Sequence, residues 1–183
     1  MTDDRTLVEG CLAGHESYRC ELYKRYAGKM FVVCKRYAGS KQEAEDYLQE
    51  SFIRVFEKLK TFNHAGSLEG WVRRVVVTSC LNLLRSRKIF GDINDAMPVQ
   101  DTNAPGVLAD MEEKELLALV QQLPTGYRTV FNLYAIDGYD HSEIATLLHI
   151  SEGTSRSQLA KARMNLREAI EKHYNIKGYA HQV

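Results

Sequence analysis

One short stretch constrains the fold more than any other: Glu143-Ile144-Ala145-x-x-Leu148-x-Ile150-Ser151-x-Gly153-Thr154. Ile144, Leu148 and Ile150 are spaced to fill the angle between two helices that meet at a tight turn, and Ala145 is small enough to let them cross closely. Asp140-x-x-Glu143 ahead of it reads as a capping box with Asp in place of Ser or Thr, opening a short helix through Leu148. His149-Ile150-Ser151 makes the turn, with His149 at a position that calls for left-handed backbone, which His tolerates better than most residues. A long helix from Glu152 to about His173 follows, its inward stripe Leu159, Ala162, Leu166 and Ile170. This is the spacing of a helix-turn-helix, whose second helix reads base edges.

On that second helix Arg156, Ser157, Ala160 and Lys161 project away from the inward stripe. Arg grips guanine O6/N7 bidentately, Ala contacts a thymine methyl, and the hydroxyls of Thr154 and Ser157 suit phosphates. Arg163 and Arg167 add charge to the same helix. A helical hairpin whose basic residues are merely solvated would carry the same charges, but would not need this spacing.

The rest of the chain is also helical in period. Leu22, Tyr26, Met30, Val33 and Tyr37 form one stripe, which Gly28 is placed to bend. Gly39-Ser40 stops that helix and a new one opens near Lys41, with Ala44, Leu48, Phe52, Val55, Phe56 and Leu59 inward. Thr61–Gly66 is a loop, and a further helix runs to about Lys88 with Val72, Val75, Val76, Ser79 and Leu83 as its inward face. The β-branched run Val75–Val77 lacks the alternation of a strand. Near the other end, Met111–Leu123 is a helix, and Pro124 suits the first turn of the next, which ends near Gly138.

Charge divides the chain in three. Residues 1–88 hold 16 Lys/Arg against 11 Asp/Glu, residues 89–115 one against seven, and residues 116–183 seven against six, so +5, −6 and +1 cancel to the net charge of zero. The middle stretch has Pro98, Pro105, Gly91 and Gly106 and no sustained period before Met111. The expectation is an all-α chain of two small helical domains, 1–88 and 112–183, joined by a flexible acidic linker over 89–111.

Several function classes drop out. The N-terminus Met1-Thr2-Asp3-Asp4-Arg5 has no basic n-region and apolar h-region, so no secretory leader is expected. The apolar stretches Met30–Cys34 and Val75–Val77 fall far short of the ~20 residues that span a bilayer. Direct membrane insertion is therefore not expected, and a cytoplasmic location is. Cys11, Cys20, Cys34 and Cys80 are scattered without a C-x-x-C pair, which reads as reduced thiols buried like small hydrophobes. With no P-loop, G-x-S-x-G or H-E-x-x-H, there is no sign of an enzyme, and no metal or cofactor is expected.

Two further stretches carry a resemblance. Glu43-Ala44-Glu45-Asp46-Tyr47-Leu48-Gln49-Glu50-Ser51-Phe52-Ile53-Arg54, followed by Trp71-Val72-x-Arg74-Val75, resembles the polymerase-binding and −10-reading domain of sigma-70 family factors. Leu123-Pro124-x-x-x-Arg128-x-Val130-Phe131-x-Leu133, with the helix-turn-helix through Arg163, resembles their −35-reading domain. The two-domain layout is similar to the extracytoplasmic-function subgroup, and the resemblance covers about residues 6–88 and 112–172.

The resemblance implies roles residue by residue. Asp46, Gln49, Glu50, Ile53 and Arg54 match the surface that docks on the clamp helices of the polymerase largest subunit. Carboxylates and an amide beside an exposed Ile suit a charged, partly apolar coiled coil. Phe62, Trp71, Arg73, Arg74, Thr78, Asn82 and Arg85 match the segment that opens and holds the −10 element. Between residues 71 and 88 there are five basic residues and no acidic one; with aromatics nearby, that pairs phosphate neutralisation with pockets or stacking surfaces for flipped single-stranded bases. The family often has Asn and Asp where this chain has Thr78 and Asn82. Thr154, Arg156, Ser157, Ala160, Lys161 and Arg163 match the −35-reading helix.

The resemblance thus implies a promoter-specificity subunit that recruits core RNA polymerase to promoter DNA and is itself held by an anti-sigma factor. A conventional helix-turn-helix regulator that binds DNA without polymerase is the alternative. It leaves Glu43–Arg54 unexplained.

Overall fold

The computed structural model describes residues 2–86 and 113–173. Every regular element among them is helical, and the chain divides into two compact units on either side of residue 88. The expected acidic linker over 89–111 lies outside the described residues, as do Arg87 and Lys88.

The first unit holds four α-helices: α1 (Asp4–Leu12), α2 (Glu16–Tyr37), α3 (Lys41–Lys58) and α4 (Leu68–Ser86), with a 3₁₀ turn at Leu59–Thr61. The sequence reading did not single out α1. Its start is set by Asp3, whose Oδ1 accepts from the backbone N–H of Arg5 and Thr6 at 3.0 Å each. The Thr6 hydroxyl donates to the same carboxylate and holds it below the usual aspartate range. Gly10 of α1 lies against Tyr18 of α2 so closely that a Cβ there would fall 2.3 Å from the ring.

The expected stripe of α2 is buried throughout, and Gly28 sits exposed within an unbroken helix. Ser40 opens α3 by accepting from Glu43 N–H at 3.1 Å, while the Glu43 carboxylate reaches back to Gly39 N–H at 2.6 Å. α4 packs on both α2 and α3. That double cover corrects its expected inward face: Val77, Cys80, Leu81 and Leu84 are buried along with Val72, Val76 and Ser79, whereas Val75 and Leu83 are only half-buried. Each fully buried Val or Leu contributes about 1.5–3 kcal/mol. The exposed ion pair Lys29–Glu69 (2.6 Å), which also joins α2 to α4, is worth about 0–1 kcal/mol. Apolar burial therefore holds this unit together.

The second unit runs α5 (Glu113–Gln122), α6 (Thr125–Phe131), a π-helical turn (Asn132–Ile136), α7 (His141–Leu148) and α8 (Glu152–His173). Pro124 stands at the N-cap of α6, one residue ahead of its expected place. α8 is the spine, against which α5, α6 and α7 all pack. Val120, Val130, Leu133, Ile144, Leu159, Ala162, Leu166 and Ile170 form the core between them. Arg128 is buried beneath this packing, its guanidinium donating to the Gln121 carbonyl at 3.1 Å and so tying α6 to the end of α5.

Candidate docking and nucleic-acid interfaces

The helix-turn-helix forms as its spacing requires. Asp140 Oδ1 accepts from Glu143 N–H at 2.8 Å, and Glu143 Oε2 accepts from Asp140 N–H at 2.9 Å, a complete capping box. His149 adopts φ 54°, ψ 45°, the left-handed geometry that ends α7. Ser151 then caps α8: its Oγ accepts from Thr154 N–H at 3.0 Å and lies 2.9 Å from Thr154 Oγ1.

On α8 the expected DNA-reading residues separate into two groups. Arg156, Ala160, Arg163 and Arg167 follow one another at helical spacing along a single row. Arg156 is exposed and donates to Glu152 one turn earlier at 2.8 Å. Ser157 does not belong to that row, and its expected phosphate role is corrected: the side chain is buried and its hydroxyl donates to the Thr154 carbonyl at 3.0 Å. A serine one position from an outward arginine turns inward because α6 and α7 cover that side of α8. Lys161 is half-buried with its ammonium 5.9 Å from the Tyr127 ring centroid, and Arg163 lies 5.8 Å over Tyr134.

A feature the sequence did not signal supports this helix. Tyr134, exposed on the π turn, stacks on His141 with centroids 4.6 Å apart, and His141 Nδ1 is 2.9 Å from the Oγ of buried Ser155 in α8. Arg163, Tyr134, His141 and Ser155 thus link the π turn, α7 and α8 in one chain of contacts. The partners are far apart in sequence, so no local pattern announces them.

In the first unit, Asp46, Gln49, Glu50, Ile53 and Arg54 all emerge exposed from α3 at spacings of three, one, three and one. That spacing is one helix face. Ile53 is 52% exposed, a large apolar side chain ringed by charge. Arg54 donates to Glu57 at 2.8 Å. Tyr23 of α2 adds an exposed aromatic beside this face, edge-on to Phe52 with centroids 4.7 Å apart; it stands next to Leu22 in the stripe, and nothing local marks it.

Trp71, Arg74, Thr78, Asn82 and Arg85 likewise form a single row along α4. Trp71 and Arg85 are half-buried, Arg74 and Asn82 exposed, and Arg73 stands half-buried beside the row. Thr78 Oγ1 donates to the Arg74 carbonyl at 2.9 Å, leaving its lone pairs outward, and Asn82 Oδ1 accepts from Arg85 at 3.4 Å. Of the two expected roles, a pocket wall or a stacking surface, Phe62 does not offer the second. It is buried, packed against Trp71 (5.6 Å between centroids) and beneath the exposed His64 (4.7 Å). His64 holds φ 59° in a turn where Asn63 Oδ1 accepts from Ala65 N–H at 3.0 Å. The cysteine expectation also needs one correction. Cys11, Cys34 and Cys80 are buried, but Cys20 is exposed.

Known proteins match this arrangement. Residues 22–89 match the family model of sigma-70 region 2, and residues 113–166 that of sigma-70 region 4. The chain is 30% identical over 159 residues to the ECF RNA polymerase sigma factor SigE of Mycolicibacterium smegmatis, covering 84% of this chain and 62% of that protein. It therefore spans less than two thirds of that relative's length. To the RNA polymerase sigma-H factor of Pseudomonas aeruginosa it is 28% identical over 182 residues, covering 92% of each. Among solved structures, the sigma factor RpoE in complex with the anti-sigma factor NepR from Bartonella quintana shares the fold (TM-score 0.52, 14% identity, 86% of this chain and 97% of that one). CnrH in complex with the cytosolic domain of CnrY does so too (TM-score 0.50, 18% identity, 92% and 97%). With both regions matched, in order and each on its own helical unit, the chain belongs to the sigma-70 family, in its extracytoplasmic-function group.

Proposed function

We propose that the two units divide the work of an alternative sigma factor along the domain limits 1–88 and 112–183. The first docks on the clamp helices of core RNA polymerase through Asp46, Gln49, Glu50, Ile53 and Arg54. The row Trp71, Arg74, Thr78, Asn82 and Arg85, with Arg73, holds the opened −10 strand. The second unit reads −35 duplex through Arg156, Ala160 and Arg163, with Thr154 and Lys161 at its flanks. The chain itself performs no covalent chemistry; it supplies promoter choice and the polymerase supplies the active site. It works in the cytoplasm, where its polymerase and promoters are, and no described helix is long and apolar enough to cross a membrane. An anti-sigma protein that covers these faces is the expected inhibitory partner, a reading supported by the structural neighbour RpoE, which was captured with the anti-sigma factor NepR.

The observation that carries this reading is the exposed α3 face. A regulator acting on DNA alone needs no second domain with an apolar residue set among carboxylates. Adding the purified chain to sigma-free core polymerase should yield promoter-dependent run-off transcripts. Tight binding to duplex DNA with no binding to core would overturn the reading in favour of a conventional regulator.

A further inference from the structure

Two thiols in the first unit face each other without a role in promoter recognition. Cys34 of α2 and Cys80 of α4 are both fully buried, 46 residues apart in sequence, with their Sγ atoms 3.9 Å apart. We propose that they form an oxidisable dithiol, which hydrogen peroxide closes into a disulfide stapling α2 to α4. A disulfide brings its sulfurs to about 2.0 Å, with Cβ atoms about 3.5–4.5 Å apart. The sulfurs must therefore approach by roughly 2 Å, within reach of side-chain rotation and a small shift of two packed helices.

The chemistry balances with peroxide as the sole oxidant. One thiol, as its thiolate, attacks a peroxide oxygen; the O–O bond breaks, one water leaves and the sulfur becomes a sulfenic acid. The second thiolate attacks that sulfur and displaces the hydroxyl as a second water. Two thiols and one peroxide give one disulfide and two waters. Burial sets the rate. Peroxide reaches these sulfurs only when α2 and α4 part locally, so closure is slow in the folded chain and accelerates under conditions that loosen the unit. Once closed, the bond restrains a long loop in the unfolded chain, which favours the folded form. Exposed Cys20 is a separate target with a different outcome, linkage between molecules.

The test uses the full chain carrying Cys20→Ser, which removes intermolecular linkage without touching the buried pair. The protein is treated with hydrogen peroxide over a range of temperatures below its unfolding transition, then denatured and alkylated with a maleimide. The expected product is monomeric, lighter by two hydrogens, and takes up one maleimide at Cys11 instead of three. Its peptide map contains a Cys34–Cys80 link that dithiothreitol reverses. Its thermal midpoint should exceed that of the reduced form by on the order of 10 °C. Cys34→Ser should abolish the link; should that variant fail to fold, the peptide map of the intact pair still decides. Three maleimides after prolonged exposure, a link through Cys11, or a midpoint no higher than that of the reduced chain would each overturn the proposal.

Discussion

The Arg156 guanidinium on α8, proposed above to meet −35 base edges, donates to Glu152 one turn earlier at 2.8 Å. Both residues are exposed, and the pair is worth little as a stability device. Arg156→Ala should cost about 1–3 kcal/mol in binding to a cognate promoter and relax preference at one −35 base pair. Competition binding of holoenzyme to a set of single-base promoter variants checks this. Equal weakening on every sequence would reduce Arg156 to a phosphate contact.

The α3 face predicts a separation of binding from stability. Reversing charge at Asp46 and Glu50 should weaken core polymerase binding at least tenfold. Folding stability should change by no more than about 0.5 kcal/mol, because both side chains are exposed and the core lies on the opposite side of α3. Pull-down with core polymerase, beside a urea melt of the free chain, reads both quantities. Unchanged core affinity would count against the docking assignment.

At the turn of the helix-turn-helix, His149 pays for its φ of 54°. Replacing it with Gly removes the Cβ conflict and adds some backbone entropy to the unfolded state. The net expectation is stabilisation of about 0.5–1 kcal/mol, visible as a higher thermal midpoint with −35 binding intact. His149→Val should move the midpoint the other way, since a β-branched residue is poorly accommodated there.

Gly10 tests how tightly α1 is held. An added Cβ would fall 2.3 Å from Tyr18 Cδ2 and 2.4 Å from its Cγ, near the root of the ring, which cannot simply swing its tip aside. Gly10→Ala should therefore cost about 1–3 kcal/mol despite the better helix propensity of Ala. Adding Tyr18→Ala should recover part of that loss in a double-mutant cycle. Additive losses would mean that the contact is not what α1 depends on.

Acid should loosen the same helix. Glu21 of α2 accepts from the Thr2 hydroxyl at 2.9 Å and from Arg25, which also donates to the Thr2 carbonyl and to Asp4 of α1. The Thr2 bond first, and then Arg25, hold the Glu21 carboxyl below its usual range. A depressed carboxylate stabilises the fold fully above its unfolded value, and that contribution is lost as pH falls through the folded one. Hydrogen exchange of α1 amides should thus speed up, relative to α3, on acidification through and below the glutamate range. Glu21→Gln should weaken the dependence, and an unaltered profile would exclude Glu21 as its source.

Much of this molecule was legible because its signals are local. Capping at Asp140 and Glu143, the left-handed position at His149 and the stripes of α2, α3 and α8 are short-range patterns that secondary structure must satisfy. The exposed face of α3 and the partly exposed row on α4 followed from the same periodicity. Where the reading failed, the cause was a neighbour distant in sequence. α1 is short, and its burial depends on the surface α2 offers it. Ser157 looked outward by its place among Arg156, Ala160 and Lys161, yet its side chain is buried and its hydroxyl is spent on the Thr154 carbonyl of α8 itself.

The sequence by itself determined that this chain is helical, that it falls into two units, and which family's motifs they bear, because helix period, caps and turn residues act within a few positions of one another. Only the tertiary structure decided which side chains remain available: Phe62 and Ser157 were drawn inside, while Tyr23, His64 and Cys20 stayed out. It alone placed Cys34 against Cys80, and Tyr134 against His141 and Arg163. Such choices depend on which helix faces meet, and helix packing joins residues that no local spacing connects.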